Sequence, residues 1–546
     1  MRVHGPLSDA KLIRKLPIFV LVIGLACGQA GMAVSPAATS SIEIVPIAIP
    51  SAITGEDEAI TPILIGTEYV VIEIPSRVRP LANMLAPLGL TAAKPLPENF
   101  AWGQMQPSPE AAIDFTRLDT FIMEFQAIGV HTPLIALRSL SNWGSKDVRV
   151  EGFFFPLKGG VKEEYLDEYE GWVTAVVERY DADGVEDMPG LLEPIRYYEI
   201  GVEFSSYEPE PVDEYLKLLE MSYKAAHTAY PDVMVAHVAF LTTPALFGSA
   251  EPGEYESAFT QLQDKTHSLD DMRAILDRPD IFDVLNIHSL DHPYEIEAIV
   301  DWLKMETSSR GYQKPIIISD TGATPFIAWG PATLCDKPAN QMGRLVPPAT
   351  EADRCRLAEF FTKLVAADAD SLRWTQEFVA QDTVKRIVVA AEQGIALINT
   401  AYTEDLLLLK LGIAQAGAGT AAWAGLVDFE RKEYRPVYYA LQQLIDQLGD
   451  YDSFTRIVVG DDDGIRVYEV EEGGQRFWIA WYDSGTLMLP GDAIPQANAV
   501  WHVGAASVRV EGLAIRSDGP ELQLVQARGG MFSFTLTPSP IFIFPE

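Results

Sequence analysis

The sequence predicts an α/β fold, a (β/α)8 TIM barrel followed by a C-terminal antiparallel β-sandwich. Two observations predict the barrel: eight short apolar runs with strand-like composition, and the helical segments that separate them. Strands that alternate with helices of this length indicate a parallel sheet, and eight such units close it into a barrel. A third observation, the loss of helical periodicity from about residue 452, predicts the sandwich.

The eight predicted strands are short runs rich in Val, Ile, Leu and Ala. In chain order they are Tyr69–Ile74, Leu90–Lys94, Pro133–Leu137, Ile195–Glu203, Val233–Phe240, Phe282–His288, Lys314–Asp320 and Ile395–Asn399. Between them, the segment Asp114–Gly129 carries apolar residues at helical spacing. Further helices are predicted at Tyr165–Tyr180, Val212–Tyr230, from about Ser268, at Ile296–Lys304 and at Thr383–Gln393.

The last hundred residues have a different pattern, with short alternating runs separated by Gly, Asp and Pro. The runs are Thr455–Val459, Ile465–Tyr468, Arg476–Tyr482, Ala506–Val510, Met531–Leu536 and Ile541–Phe544. At 546 residues the chain is longer than one barrel. We therefore assign residues 61–450 to the barrel and residues 451–546 to an accessory sandwich.

The N-terminal segment has the features of a targeting sequence. Residues 1–30 combine a basic start with the apolar stretch Leu16–Ala26, which is too short to span a membrane as a stable helix. The Ala/Ser/Pro-rich residues 31–60 form a predicted tether. Gly24-Leu-Ala-Cys27 is similar to a lipoprotein signal, and the alternative to lipidation of Cys27 is ordinary cleavage after Ala30 or Ala33. We expect an exported protein, periplasmic, extracellular or lipid-anchored, with no transmembrane span in the mature chain.

Two cysteines remain in the exported chain, Cys335 and Cys355. In an oxidising compartment two such cysteines usually pair, so we expect a disulfide in the insertion after the seventh strand. The alternative is two buried free thiols.

The formal net charge of −36 argues against a nucleic-acid partner, because no basic stripe offsets the acidity. The sequence also lacks a Gly-x-Ser-x-Gly elbow, a phosphate-binding Gly-rich loop and a His-Glu-x-x-His motif. We predict no cofactor and no metal site.

Glu203 and Asp320 are the candidate catalytic residues. Each closes an apolar run, the fourth and the seventh of the eight, and barrel chemistry takes place at the carboxyl ends of the strands. Two facing carboxylates there are the groups that glycoside hydrolysis requires. The alternative role for either residue alone is a helix cap or an ion pair. Glu199 shares the parity of Glu203 but lies deeper, so we expect it in a buried ion pair.

Several motifs, in this order along the chain, resemble those of clan A glycoside hydrolases, and of family 39-like members in particular. They are Trp102-Gly-Gln-Met-Gln-Pro107, Pro194–Glu203, His288 with Pro293-Tyr294, Lys314–Gly322, Pro436–Leu441 and Thr537–Phe544. The resemblance covers roughly residues 65–546. It implies that Glu203 is the general acid/base and Asp320 the nucleophile of a retaining hydrolysis of a β-linked oligo- or polysaccharide.

Two departures from the family pattern lie at the centre of the site. Val202 stands where the family has the Asn of an Asn-Glu pair, and Asp320 stands where it has Glu. A shorter side chain withdraws the carboxylate, and a misplacement of about 1 Å costs on the order of a hundredfold in rate. Three functions remain open: a retaining glycosidase, an inverting or otherwise altered enzyme, and a noncatalytic carbohydrate-binding or surface scaffold protein.

The remaining candidates would bind the carbohydrate. The predicted substrate-binding residues are Trp102, Trp143, His288, Tyr294 and Trp329. His288 would point into the barrel mouth, and its alternative role is a core histidine. The tryptophans would supply stacking faces for sugars, although Trp is more often a packing residue.

Overall fold

The structure, a computed structural model, describes residues 62–149, 157–204, 208–241, 267–328, 330–338, 343–400, 402–405 and 419–546. The predicted signal peptide and tether, the lipidation of Cys27 and the stacking residue Trp329 lie outside these residues.

Eight parallel strands form the barrel. They are β1 (Leu64–Val70), β2 (Ala92–Pro95), β3 (Thr132–Leu137), β4 (Tyr197–Ile200), β5 (Met234–Ala236), β6 (Leu285–Ser289), β7 (Ile316–Thr321) and β8 (Leu397–Thr400). The hydrogen-bonded order is β5-β4-β3-β2-β1-β8-β7-β6. Parallel bridges from Ala236 to Val284 and from Phe240 to Ile287 join β5 to β6 and close the sheet. The predicted fold class is confirmed.

Nine helices of eight residues or more surround this sheet in the described residues. They are α1 (Pro75–Leu85), α2 (Thr116–Gln126), α3 (Leu166–Glu178), α4 (Val212–Ala229), α5 (Leu269–Leu276), α6 (Glu295–Ser309), α7 (Arg354–Val365), α8 (Ala369–Glu392) and α9 (Pro436–Leu448). Local sequence sets several of their starts: Pro75 and Pro436 occupy first helical positions, and Ser268 with Asp271 forms a capping box before α5. A four-residue helix, Trp102–Met105, follows β2.

Buried side chains of small and medium size fill the barrel interior. One apolar cluster joins residues of β2, β3, β5, β7 and β8 with the residue that precedes β6: Ala92, Leu134, Ala236, Ile317, Leu397 and Val284. Since both faces of the sheet are covered, the strands are apolar almost throughout. The exceptions are the polar residues that build the site described below.

The first strand differs most from its prediction. The sequence places it at Tyr69–Ile74, but β1 spans Leu64–Val70, with Leu64–Thr67 in register with Leu397–Thr400 of β8. Tyr69 adopts a positive φ of 60°, and the chain turns into α1 at Pro75. The β-branched run that follows Tyr69 therefore belongs to the connection rather than to the strand.

Three short hairpins lie in the loops of the barrel. They pair Ser145–Val148 with Leu157–Val161, Ile327–Ala328 with Arg344–Leu345, and Val427–Asp428 with Glu433–Tyr434. The second lies in the insertion that carries Cys335 and Cys355. Both cysteines are free and exposed, and the Cys355 thiol donates to the Cys335 carbonyl oxygen at 3.4 Å. The predicted disulfide is therefore not formed, and the alternative of two buried free thiols does not hold either, because both side chains are exposed.

The C-terminal region consists of eight antiparallel strands. They are β9 (Ser453–Ile457), β10 (Ile465–Glu472), β11 (Gln475–Tyr482), β12 (Ala497–His502), β13 (Ser507–Glu511), β14 (Leu522–Gln526), β15 (Met531–Leu536) and β16 (Ile541–Pro545). One sheet has the order β9-β10-β11-β16-β13-β14, and β12 pairs with β15 in the other. Their inner faces share an apolar core that includes Trp478, Trp501 and Phe534. The sequence did not predict β12 or β14.

The sandwich packs against the barrel through both apolar and polar contacts. Phe454, Tyr468 and Trp481 belong to the same apolar core as the barrel helices. The Trp481 indole donates to the Tyr294 hydroxyl at 2.7 Å, and Arg466 pairs with Glu297 at 2.7 Å. None of the helices in the described part of the chain has the length and apolar character needed to cross a bilayer.

Candidate active site

Glu203 lies just beyond the carboxyl end of β4. Gly201, at φ 91°, turns the chain after the strand, and a Cβ there would meet Val238 at 3.0 Å. The backbone then rejoins the sheet, since Glu203 bridges Ala239 and the Phe204 N–H donates to the Ala239 carbonyl at 3.1 Å. The Glu203 side chain is consequently held on rigid backbone, with 4% of the residue exposed.

His288 and Asp320 come from the neighbouring strands β6 and β7. A register shift between Ile287 and His288 places His288 opposite Asp320. His288 is fully buried, and its Nδ1 lies 2.9 Å from Glu203 Oε1 while its Nε2 lies 2.9 Å from Ser319 Oγ. The imidazole therefore connects the end of β4 to the end of β7.

The three side chains converge on one point. Glu203, His288 and Asp320 each offer one ligand or reacting atom within 4.8 Å of the other two. Asp320 is 4% exposed, and its Oδ1 has no hydrogen-bond partner in the described part of the chain. The two predicted catalytic carboxylates thus face each other at the barrel mouth.

A buried lysine lies beneath them. Lys94 of β2 is fully buried, with its Nζ 2.9 Å from Glu199 Oε2 and 3.3 Å from Glu68 Oε1. The ion pair expected for Glu199 is thus present. We use the term carboxylate cluster for Glu68, Lys94, Glu199, Glu203, His288 and Asp320. It contains four carboxyl groups and one lysine.

Burial and mutual repulsion set the protonation of this cluster. Burial, and then the negative charge of Asp320, raise the pKa of Glu68 well above its usual value. Burial lowers the pKa of Lys94, but the charges of Glu199, Glu68 and Asp320 outweigh it, so the net shift is upward. Burial lowers the pKa of His288 to about 4. These shifts favour the protonated form of Glu68, the charged form of Lys94 and the neutral form of His288.

A second buried network supports the backbone next to Glu203. Glu208 Oε1 accepts from the Val202 N–H at 3.1 Å and from Arg138 Nε at 3.3 Å. Arg138 Nη1 also donates to Glu98 at 2.7 Å. Val202, which replaces the Asn of the resembled family, therefore contributes a backbone contact here.

The predicted aromatic residues are placed differently from the expectation. Trp102 is fully buried and packs against Trp143 and Tyr169, with ring centroids 4.4 and 5.3 Å away. Trp102 therefore exposes no face in this structure, in contrast to the stacking face predicted for it. Trp143 is half-buried, and its indole donates to the Gln106 carbonyl at 2.9 Å.

Tyr294 is also engaged elsewhere. Its hydroxyl bonds Asp483 at 3.3 Å and Trp481 at 2.7 Å, and the Arg466 guanidinium lies 4.0 Å from its ring centroid. These partners all belong to the sandwich. The structure therefore places Tyr294 at the contact between the two domains, in contrast to the predicted substrate contact.

Sequence reasoning did not identify Glu68, Lys94 or Ser319 as part of the site. A signal was available for two of them, because Glu68 and Lys94 are charged residues inside otherwise apolar strand segments. Charged residues are almost never fully buried unless they are paired. Their pairing depends on register between strands that are distant in sequence.

Comparison with known proteins finds solved structures of similar fold. No family model and no curated protein matches the chain. Among solved structures, the chain is similar to a family 39 glycoside hydrolase from the gut symbiont Bacteroides cellulosilyticus. The two are 13% identical with a TM-score of 0.54, over 89% of this chain and 81% of that one.

Two further structures match over nearly their whole length. A glucosidase from Croceicoccus marinus is 13% identical, with a TM-score of 0.51 over 90% of this chain and 97% of that chain. A family 30 glycoside hydrolase endoxylanase from Clostridium papyrosolvens is 10% identical, with a TM-score of 0.50 over 90% of this chain and 98% of that chain. At these identities the likeness establishes the fold alone, a barrel followed by a sandwich.

Proposed function

We propose that the protein is a retaining glycoside hydrolase that acts on a β-linked oligo- or polysaccharide. One observation carries the proposal: Glu203 and Asp320, on β4 and β7, bring carboxylate oxygens within 4.8 Å of each other. Retaining enzymes hold their two carboxyl groups about 5 Å apart, whereas inverting enzymes need roughly 6.5 Å or more to admit a water. The observed separation therefore favours double displacement over inversion.

In this mechanism Glu203 is the general acid and base. With Nε2–H of the neutral His288 donating to Ser319 Oγ, Nδ1 is an acceptor for a protonated Glu203. Glu203 then carries the proton that the departing glycosidic oxygen requires. After the first displacement, its carboxylate takes a proton from the attacking water.

Asp320 is the nucleophile in this proposal. Its Oδ1 is buried without a hydrogen-bond partner in the described residues, so this oxygen is available to attack the anomeric carbon. The Lys94 ammonium, whose pKa is raised by Glu199, Glu68 and Asp320 against the opposing effect of burial, supplies a permanent positive charge near the nucleophile.

The location and the partners belong to the same proposal. The basic and apolar features of residues 1–30 support export, with lipidation at Cys27 or ordinary cleavage as the two forms of maturation. A carbohydrate polymer outside the cytoplasm is the partner that suits an acidic, exported barrel of this kind.

Hydrolysis of a panel of aryl glycosides and oligosaccharides by the purified protein tests the activity, and NMR of the first-formed anomer tests retention. Glu203→Gln should lower turnover of poor leaving groups by about 10²- to 10⁴-fold and affect activated aryl glycosides much less. Asp320→Glu should preserve or raise activity, because it restores the reach that the resembled family uses.

Glu210 offers a matched control. It is a fully buried glutamate at the same end of the barrel, and burial raises its pKa to about 8, so Gln resembles its protonated form. Glu210→Gln should keep wild-type turnover. The proposal would be refuted if the wild-type protein and the Asp320→Glu variant were both inert on every glycoside.

The second candidate function is a noncatalytic carbohydrate-binding or surface scaffold barrel. Val202 and Asp320 favour it, since Val202 has no side-chain group to hydrogen-bond a sugar 2-hydroxyl and Asp320 is shorter than the family's Glu. Saturable binding of an oligosaccharide without turnover, unaffected by Glu203→Gln, is the result that this function predicts.

A further inference from the structure

We propose that Glu203, His288 and Asp320 form a binding site for one divalent metal ion of the zinc type. The three side chains supply one imidazole nitrogen and two carboxylate oxygens within 4.8 Å of one another. All three residues are buried. Binding at this site does not depend on the proposed hydrolytic activity.

The spacing of the first two ligands is already close to that of a bound metal. His288 Nδ1 and Glu203 Oε1 are 2.9 Å apart. Zinc holds His nitrogen at about 2.0–2.1 Å and carboxylate oxygen at about 2.0–2.2 Å in a tetrahedron, which places two such ligands roughly 3.4 Å apart. The pair needs to open by only a few tenths of an ångström, while Asp320 moves inward to complete the set.

The surroundings orient the imidazole as a ligand. Ser319 Oγ lies 2.9 Å from His288 Nε2, so this ring nitrogen has a partner and Nδ1 is directed at Glu203. A metal-binding histidine usually donates its other N–H to such a group, which fixes the ring and its tautomer.

The charge balance of the carboxylate cluster also favours a cation. Lys94 pairs with two of the four buried carboxyl groups of this cluster, Glu199 and Glu68. Asp320 Oδ1, on a residue that is 4% exposed, has no hydrogen-bond partner in the described part of the chain. A buried oxygen of this kind requires a donor or a cation, and one divalent ion supplies charge to both Asp320 and Glu203.

The ligand set selects the kind of ion. Imidazole suits Zn²⁺, Ni²⁺ and Fe²⁺, whereas Ca²⁺ and Mg²⁺ prefer oxygen ligands alone. A bound zinc ion would take the position of the hydrogen bond between Glu203 and His288. If the proposed function holds, zinc therefore inhibits hydrolysis, because Glu203 can no longer act as the general acid.

Calorimetric titration of the metal-free protein with Zn²⁺ tests the site. Asp320→Asn and His288→Asn should each weaken binding at least tenfold, and Ser319→Ala about tenfold through loss of ring orientation. Asp320→Asn changes shape very little, and its circular dichroism and thermal unfolding establish that it is folded. Ca²⁺ and Mg²⁺ should not displace the zinc.

Asp183→Asn is the matched control. It removes one carboxylate from the acidic group Glu178, Asp181 and Asp183, whose oxygens also lie within 4.8 Å of one another. Zinc binding should be unchanged in this variant. Three results would overturn the proposal. Zinc binding could persist in both Asp320→Asn and His288→Asn, it could be lost in Asp183→Asn, or it could be absent from the wild type.

The two proposals fail separately. Zinc binding that requires Asp320, in a protein that hydrolyses no glycoside, supports the metal site and contradicts the enzyme. Hydrolysis that zinc does not inhibit, in a protein that takes up no zinc, supports the enzyme and contradicts the metal site.

Discussion

Two buried polar clusters share strands β6 and β7 and differ in how well their atoms are paired. The first is the carboxylate cluster. The second, which we call the arginine cluster, consists of Arg386 and Asp382 of α8 with Ser289, Thr321 and Thr324. Arg386 donates to Asp382 at 2.6 Å, to the Ser289 carbonyl at 3.2 Å, to Thr321 at 3.1 Å and to Thr324 at 3.3 Å.

This difference distinguishes a cluster that supports the backbone from a cluster whose groups can react. In the arginine cluster one buried guanidinium donates to several acceptors, while in the carboxylate cluster four carboxyl groups accompany one lysine, which pairs with two of them. Ser289 directly follows His288, and Thr321 directly follows Asp320. The well-paired cluster therefore fixes the backbone that carries the poorly paired one. Poorly paired buried groups are a property of functional sites.

The largest expected effect is at Arg386. Arg386→Met removes a buried charge and leaves Asp382 uncompensated, so we expect a loss of about 3–5 kcal/mol in the free energy of unfolding, measured with urea. Arg373→Met on the same helix is the control, because the Arg373 side chain is 63% exposed and pairs only with a neighbouring surface Asp370. That variant should be almost unchanged. Equal losses in both variants would contradict the supporting role of Arg386.

The same substitution in the two clusters should have opposite effects. Asp382→Asn weakens charged hydrogen bonds from Arg386 and Thr324 and should cost about 1.5–3 kcal/mol. Asp320→Asn removes a buried charge whose Oδ1 has no hydrogen-bond partner in the described residues, and should raise the free energy of unfolding by about 1 kcal/mol. Parallel urea titrations measure both. Destabilisation by Asp320→Asn as large as that by Asp382→Asn would place Asp320 with the structural residues.

The fold was predictable because its main signal is local. Parallel strands covered on both faces are short apolar runs, and each of the eight predicted runs overlaps an observed strand. Boundaries were less predictable, as β1 illustrates: the run after Tyr69 has strand-like composition, but pairing with β8 places the strand five residues earlier. β12 and β14 lacked a strong apolar alternation, and only pairing with distant partners defines them.

The site was predictable where it depends on strand ends, and less so where it depends on register. Glu203, His288 and Asp320 terminate predicted strands, so their convergence follows from the barrel itself. Lys94 and Glu68 join them only because β1, β2 and β4 align in a particular register. The burial of Trp102 was not predicted, because it depends on Tyr169, a residue on a helix far along the chain.

The pH dependence of stability should sharpen the comparison further. Burial lowers the pKa of His288 to about 4, below its usual 6.5, so the unfolded chain binds the proton first as the pH falls. The contribution of His288 is full above pH 6.5 and is lost progressively towards pH 4, by an amount on the order of 1–3 kcal/mol. His288→Asn should flatten the dependence of unfolding free energy on pH in this window.

Glu68 should act with the opposite sign. Its raised pKa, caused by burial and by Asp320, means that the folded state holds a proton which the unfolded chain releases above about pH 4.5. Its contribution is lost as the pH rises, and Glu68→Gln should remove this part of the profile. An unchanged profile in both variants would show that the carboxylate cluster is not protonated as described.

A further effect is expected at Tyr294, where the sandwich supplies the hydrogen-bond partners. Tyr294→Phe removes the acceptor of the buried Trp481 indole and the donor to Asp483, and should cost about 1–2 kcal/mol in urea unfolding. Tyr434→Phe, at an exposed tyrosine, is the control and should have little effect. Because Tyr294 contacts the sandwich, glycoside turnover and zinc binding by Tyr294→Phe should equal those of the wild type. A variant that loses turnover or zinc binding but keeps its stability would show that Tyr294 acts in the site. The contact between the domains would then not be purely structural.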